Sequence, residues 1–292
     1  MLHPLKSKKL LFFILLFSIS FQQVQTYAAG LGKSKITQAD ATKFLLINFI
    51  VGNIVAWSMG AYPRSYEQLP YSQEELGNIR ELQQEIESYP DEVEPKKDLG
   101  LIYFNHNDLE RADEVLESAL QSDPNHAESL AVWGGNEAKS AGAMWDFTWG
   151  IWKLIRLDNA VEGLNRAVEL EPNNFNVRLF RINTVEGMEG RRDSLQYAFL
   201  DEQWYLQKSA KNSQYLPAAV HMEFLDALIR LHLLRYQSAD EEDEAKERSR
   251  RSAIDFYRQL RDIPVGSEEK EKRMQNIAER FAEQDIPIEI AD

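Results

Sequence analysis

Cysteine is absent from all 292 residues of the chain. Its absence excludes disulfide bonds, thiolate zinc sites, a cysteine nucleophile and the lipid-modified cysteine of a bacterial lipoprotein. The fold must therefore be held together by packing, for which 43% of the residues are hydrophobic.

Basic residues are scarce relative to acidic ones. The chain has 33 Lys and Arg against 47 Asp and Glu, which gives a formal net charge of -14. Because phosphate backbones are bound by concentrated positive charge, this balance argues against a nucleic-acid partner.

Motifs for catalysis and for metal or cofactor binding are also missing. Beyond the N-terminus, His106, His126, His221 and His232 show neither metal-ligand spacing nor a neighbouring nucleophile, and no glycine-rich phosphate loop occurs. The acidic run at 240–251 has acids first and arginines further along, which is typical of a solvated helix face. The sequence therefore predicts no catalytic residue, no metal ligand and no cofactor, and a protein that is not an enzyme.

The N-terminus has the three-part form of a secretory signal. Three lysines precede an apolar run at 10–21, and Thr26-Tyr27-Ala28 supplies a small-residue cleavage site. We predict that residues 1–28 are a signal peptide and that the protein is exported, to a bacterial periplasm or the outer face of the cell envelope. Retention of the signal as an N-terminal anchor is the alternative.

A second apolar stretch lies in the N-terminal segment 29–71. No charge occurs between Lys43 and Arg64, and we predict an apolar helix at 44–62. Small and polar residues recur every four positions and so share one helical face: Asn48, Gly52, Ala56 and Gly60. Two interpretations are open, a buried helix that packs on the rest of the protein or an element that associates with a membrane.

The rest of the chain reads as successive helices. Apolar residues recur at steps of three and four, the pattern of amphipathic helices that face a common core. We therefore predict an all-α fold. Capping-box pairs predict helix starts at three places: Ser72 with Glu75, Asn107 with Glu110, and Ser238 with Glu241.

One tract, at 96–125, has small, aromatic and apolar residues at fixed intervals. These residues are Leu99, Gly100, Tyr103, Ala112, Leu116, Ala119 and Pro124. The tract resembles the tetratricopeptide repeat, a hairpin of two antiparallel helices. Gly100 and Ala112 are small where the helices cross, Tyr103 fills the space between them, and Pro124 ends the second helix.

The resemblance implies a right-handed solenoid of helical hairpins over 72–264, followed by a C-terminal helix and tail at 265–292. In the second repeat, Pro172 follows Pro124 by 48 residues instead of the usual 34, which predicts two lengthened, protruding helices. The third repeat departs from the pattern, with Arg181 and Ile182 where Leu and Gly are usual. The predicted repeats span about 93–126, 127–174, 175–210 and 215–264.

The resemblance further implies that the inner helices line a groove that binds a protein or peptide. The groove-facing residues would be Lys97, Leu101, Phe104 and Asn105 in the first repeat and Leu179 and Asn183 in the third. In co-chaperones of this family, a paired Lys and Asn begin a clamp for a C-terminal carboxylate. Lys97 matches that pair, but Leu101 stands at the Asn position, which argues against chaperone tails as partners.

Aromatic residues crowd the extra length of the second repeat. Trp145, Trp149 and Trp152 lie within eight residues and share one helical face at spacings of four and three. They either fill the space between the lengthened helices or form a surface for a ligand or partner.

Two functions are consistent with these features. The first is a non-catalytic, exported scaffold that holds a protein partner in the cell envelope. The alternative is a small-molecule-binding accessory component of an envelope transporter, with weak similarity to the T component of TRAP-type carriers. In that case the aromatic repeat would form the small-molecule pocket.

Overall fold

A computed structural model describes most of the chain as α-helix. The described residues are Ile50, Val51, Ile54, 64–144, 151–188, 192–212, 216–238, 242–264, 266 and 268–288. They contain ten α-helices and no strand, as an all-α fold requires. The predicted signal at 1–28 lies outside the described residues, and so does the predicted apolar helix at 44–62 apart from Ile50, Val51 and Ile54, which are helical.

The chain divides into two compact units. We call Met1–Ser65 with Ala143–Ile155 the small unit, and Tyr66–Gly142 with Arg156–Asp292 the large unit. In chain order, the helices are α1 (Gln73–Ser88), α2 (Glu94–Asn105), α3 (Leu109–Ser122), α4 (Ala127–Ala143), α5 (Ile151–Leu170), α6 (Phe175–Gly187), α7 (Leu195–Asn212), α8 (Ala218–Gln237), α9 (Asp243–Asp262) and α10 (Glu268–Ala282). No helix among the described residues is long and apolar enough to cross a membrane.

Helices α2 and α3 form the first hairpin, and its packing follows from the small residues that the sequence places at the crossing. A Cβ atom on Gly100 would lie 2.6 Å from the Leu116 side chain, so only glycine permits this approach. Ala112 is fully buried and Tyr103 is buried between the helices, as predicted. α3 ends at Ser122, two residues before Pro124, because proline cannot continue the helix.

The second hairpin, α4 with α5, repeats this crossing with longer helices. α4 has 17 residues and α5 has 20, against 12 in α2 and 14 in α3. A Cβ atom on Gly134 would lie 2.9 Å from the Ala160 carbonyl oxygen and 3.0 Å from Leu164. The extra residues of this repeat therefore lengthen both helices, as the sequence predicts.

The third hairpin, α6 with α7, replaces apolar contacts by a buried ionic cluster. Asp201 on α7 is fully buried and receives hydrogen bonds from Arg178 Nη1 at 2.5 Å and from Arg181 Nε and Nη2 at 2.8 and 2.7 Å. The arginine that departs from the repeat pattern thus contributes an ion pair where leucine is usual.

The last helices complete the larger of two hydrophobic cores. α8 and α9 form a hairpin, and α10 packs against α8. At the entry to this hairpin Tyr205 stacks on Phe224, with ring centroids 4.7 Å apart, and its hydroxyl hydrogen-bonds to His221 Nδ1. Burial raises the pKa of Tyr205 and lowers that of His221, so both are held in their neutral forms.

Only one of the three predicted capping boxes is present. The Ser72 and Glu75 side chains accept from each other's backbone N–H groups at the start of α1. The prediction at Asn107 is wrong, because Asn107 adopts a left-handed conformation (φ 58°) and α3 begins one residue later, after Asp108. The prediction at Ser238 is also wrong, since Ser238 ends α8 and α9 follows Glu242.

Candidate functional site

The inner face of the first hairpin begins with a network of charged side chains around Lys97. Lys97 Nζ lies 2.9 Å from Glu94 and 2.7 Å from Asp98 on its own helix, and 3.4 Å from Glu128 on α4. Asn174, at the start of α6, donates to the other Glu128 oxygen at 3.0 Å. Three successive inner helices are therefore joined by one hydrogen-bonded chain.

These contacts set the charge states of the network. Burial lowers the pKa of Lys97, but hydrogen bonds to Asp98 and Glu94 outweigh it and hold the pKa above its usual value. For Glu128, burial raises the pKa, but the Asn174 hydrogen bond and the Lys97 charge lower it by more, so the pKa lies below its usual value. Lys97 and Glu128 are therefore both ionised at neutral pH.

Farther along the inner face, two aromatic rings meet across α4. The rings of Phe104 on α2 and Phe180 on α6 have centroids 5.3 Å apart. They meet over Gly135, where a Cβ atom would lie 2.9 Å from Phe180 and 3.3 Å from Phe104. The missing side chain of Gly135 therefore lets helices of the first and third hairpins touch.

Lys139 caps this aromatic pair. Its Nζ lies 3.9 Å from the centroid of the Phe104 ring and donates to the Phe104 carbonyl at 3.0 Å and to Asn107 Oδ1 at 2.9 Å. Burial lowers the pKa of Lys139 to about 8. Its ammonium group satisfies the Phe104 carbonyl oxygen at the end of α2, where a cation also complements the helix dipole.

A second ionic link joins α8 to α6. Arg230 pairs with Glu186 and donates from Nη2 to Asn183 Oδ1 at 2.7 Å. Leu179, one turn before Asn183, is half-buried against the larger core.

The structure thus separates the residues predicted to face the groove into two groups. Lys97, Phe104 and Asn183 are engaged in contacts between helices. Leu101 and Leu179 are half-buried, each against one of the two hydrophobic cores, and Asn105 is exposed. Sequence reasoning missed four partners on the inner face: Gly135, Lys139, Phe180 and Arg230. The adjacent glycines in α4 were the one sequence signal for them, since two successive glycines in a helix indicate close approach on two faces.

The aromatic insertion is described only in part. Trp145 and Trp149 lie outside the described residues. Trp152, Leu154 and Ile155, in the first turn of α5, are exposed by 52%, 49% and 42%. Farther along the same helix, within the large unit, Ala160 and Leu164 are fully buried.

Comparison with known proteins identifies the first hairpin. No curated protein matches the chain. Among the described residues, no group of three or more His, Asp or Glu side chains is arranged to hold a metal ion. Residues 98–126 match the family model described as tetratricopeptide repeat. This match covers the α2–α3 hairpin and supports the tetratricopeptide repeat family, whose repeats commonly act as scaffolds for protein partners.

Proposed function

We propose that this protein is an exported, non-catalytic scaffold that holds a protein partner in the cell envelope on the inner face of its helical hairpins. The family match at 98–126 is the observation that carries the proposal. Repeats of this kind stack side by side and create an extended surface along their inner helices, which suits a peptide segment or a partner helix.

The inner face offers such a segment two kinds of contact. Leu101 and Leu179 supply partly exposed apolar area, and Asn105 supplies an exposed amide. The Lys97 and Arg230 networks leave these helices already ordered, so a partner does not have to order them on binding. The proposed contact surface is therefore Leu101, Asn105 and Leu179, with Phe104 and Phe180 as its rigid floor.

Site-specific photo-crosslinking tests this surface. A photoreactive residue at Asn105 should form adducts with one defined partner in cells, whereas the same residue at Glu110, which is exposed on α3, should not. Leu101→Asp should remove the Asn105 adduct, because a carboxylate cannot be desolvated against an apolar partner side chain. Equal adduct patterns from both positions would contradict the inner face as the binding surface.

Export is tested independently of partner binding. We propose cleavage after Ala28, so intact-mass measurement of the native protein should give a chain that begins at Ala29. A native chain that retains residues 1–28 in a cytosolic fraction would contradict export and leave the binding surface untouched.

A membrane-surface location is a second proposal, and a different observation supports it. Once residues 1–28 are removed, the small unit has 5 basic and 2 acidic residues, although the net charge of the whole chain is -14. It also exposes the large apolar side chains Trp152, Leu154 and Ile155. Basic charge together with exposed aromatic and aliphatic side chains is typical of segments that lie on anionic membranes. The full chain should therefore float with vesicles containing phosphatidylglycerol, and the double variant Trp152→Ser with Ile155→Ser should float less. Recovery of the full chain in the soluble fraction, with or without these vesicles, would contradict the proposal.

A further inference from the structure

An open cleft runs along the outer side of the first hairpin, opposite the inner face described above. Its volume is about 1000 Å3, the upper end of the range for ligand pockets. α1 and α3 form its walls, and α2 forms its floor through Lys96, Leu99 and Tyr103. These three residues share one side of α2, whereas Lys97, Leu101 and Phe104 lie on the other.

The cleft has an apolar interior. Leu76, Ile79 and Ile86 line it from α1, and Val115 lines it from α3. Ile79 and Leu99 belong to the smaller hydrophobic core, whereas Leu76 is exposed by 37%. An apolar strip that passes from core to solvent along two walls is the shape into which an amphipathic helix packs.

Two arginines line opposite walls of this cleft. Arg111 on α3 places its guanidinium carbon 5.8 Å from the centroid of the Tyr103 ring. On α1, Gln83 donates to the Tyr103 hydroxyl at 3.3 Å, and Arg80 lies one turn before Gln83. Arg111 therefore lies near the Tyr103 ring, and Arg80 lies one helical turn from the residue that contacts the Tyr103 hydroxyl.

The three cations of the cleft differ in their partners. Among the described residues, no carboxylate lies within ion-pair distance of Arg80 or Lys96. Instead, Arg80 Nε donates to the Leu76 carbonyl. The buried Lys96 ammonium donates to Ser122 Oγ at 2.8 Å. Arg111 is 3.5 Å from Asp108, a carboxylate that already accepts from other side chains. Glu87 and Glu114 also line the cleft, so three cations face two carboxylates there, in a chain whose net charge is -14.

The next outer crevice of the array, between α3 and α5, is closed by the chain itself. Arg156 on α5 donates to the buried Glu137 on α4 at 2.7 Å and lies 3.5 Å from Asp113 on α3. Burial raises the pKa of Glu137, and the Arg156 contact opposes that shift. In the α1–α3 crevice, Arg80 and Arg111 line the walls, and among the described residues no ion pair joins α1 to α3.

We propose that this cleft binds an amphipathic helical segment of a partner protein that carries a carboxylate at one end of its apolar face. The apolar face would cover Leu76, Ile86 and Val115, and the carboxylate would pair with Arg80 and Arg111, as Asp113 and Glu137 pair with Arg156 one crevice later. The segment is neutral overall, because the net negative charge of the chain disfavours a highly acidic ligand. This inference rests on the proposed binding of protein partners but assigns a surface on the opposite side of α2.

Fluorescence anisotropy with a designed peptide tests the cleft. The probe is a labelled 14-residue helical peptide with leucines on one face, two glutamates at one end of that face and two lysines on the opposite face; its control carries glutamine for both glutamates. The full chain should bind the glutamate peptide about tenfold more tightly than the glutamine peptide, since two charge pairs at a partly desolvated site contribute about this much. The preference should fall as salt is raised.

Matched variants locate the binding. Arg80→Gln with Arg111→Gln should abolish the preference for the glutamate peptide, whereas Arg248→Gln with Arg258→Gln, an equal change of charge on exposed α9, should keep it. Val115→Asp should weaken both peptides, with circular dichroism confirming that the variant is folded. No binding, equal binding of the two peptides, or a preference that survives Arg80→Gln with Arg111→Gln would overturn the proposal.

The inner-face variant separates this proposal from the proposed function. Leu101→Asp should leave peptide binding in the cleft unchanged while it removes the Asn105 crosslink. If Leu101→Asp instead abolished peptide binding and the arginine variants did not, the peptide would occupy the inner face and the cleft assignment would be overturned. If the Asn105 crosslink were absent while the peptide still bound in the cleft, the proposed inner-face surface would be contradicted and the cleft proposal would stand.

Discussion

Asp201→Asn would remove the counterion of two buried arginines. Asp201 is fully buried and is the shared acceptor for Arg178 and Arg181, which are themselves buried. Asparagine keeps the volume but removes the negative charge, and two guanidinium groups then lie in a site of low polarity without a counterion. Breaking a buried pair in this way costs about 3–5 kcal/mol.

Neither guanidinium can easily move to solvent when Asp201 is lost. Arg178 Nε donates to the Pro172 carbonyl at 2.9 Å, and its guanidinium carbon lies 4.4 Å from the centroid of the Trp204 ring. Arg181 donates to Asn165 at 2.8 Å. Because asparagine retains one acceptor oxygen, we expect the lower end of the range, about 3 kcal/mol. Domains of ordinary stability have only about 5–15 kcal/mol in total.

Urea unfolding monitored by circular dichroism measures this effect. Asp201→Asn should lower the urea midpoint with little change in the m-value. As the control, Asp255→Asn removes an exposed ion pair with Arg258 on α9 and should change the free energy of unfolding by less than about 0.5 kcal/mol. Replacing Arg178 and Arg181 by Met and Asp201 by Leu together should recover most of the loss. A cost for Asp201→Asn of less than about 1 kcal/mol would refute the reasoning, because it would mean that both arginines are solvated once the carboxylate is lost.

Three further predictions follow from single contacts. Gly77→Ala should raise the free energy of unfolding by about 0.5–1 kcal/mol, because nothing lies within 4 Å of the added Cβ and alanine favours the helix. Gly134→Ala should lower the free energy of unfolding by about 1–3 kcal/mol, because its Cβ meets the backbone of α5. A double-mutant cycle with Phe104→Leu and Phe180→Leu should give a coupling energy of about 0.5–1.5 kcal/mol. Hydrogen bonds from Ser72 and His106 lower the pKa of Glu75 to about 2 from 4.5, so its stabilising contribution is complete above pH 4.5 and disappears as pH falls to 2.

Each of these has a result that would contradict it. Equal stability changes at Gly77 and Gly134 would mean that the second hairpin relaxes around an added methyl group. Zero coupling between the two phenylalanines would mean that their rings do not meet in solution. A stability difference between Glu75→Gln and wild type that persists unchanged from pH 7 to pH 2 would show that the Glu75 carboxylate is not selectively stabilised in the fold.

Several features of this fold could be predicted from the amino-acid sequence alone. The all-α class, the first hairpin and its crossing at Gly100 and Ala112 depend on contacts between residues close in sequence, so periodicity and spacing reveal them. The lengthened second hairpin follows from the distance between Pro124 and Pro172. The capping predictions at Asn107 and Ser238 failed because several residues near a helix end can serve as the cap, and local geometry decides between them.

The tertiary structure alone decided which side chains meet across hairpins. Phe104 and Phe180 are 76 positions apart in the sequence and touch only because Gly135 lets α2 and α6 approach over α4. Arg181 disrupts the repeat pattern in sequence, yet it is satisfied by Asp201 on the following helix. Periodicity along one helix identifies its buried face but not the residues that pack against it, since that pairing depends on the stacking of successive hairpins. The first two hairpins could therefore be predicted from the sequence, whereas the inner-face contacts and the outer cleft depend on how the hairpins stack.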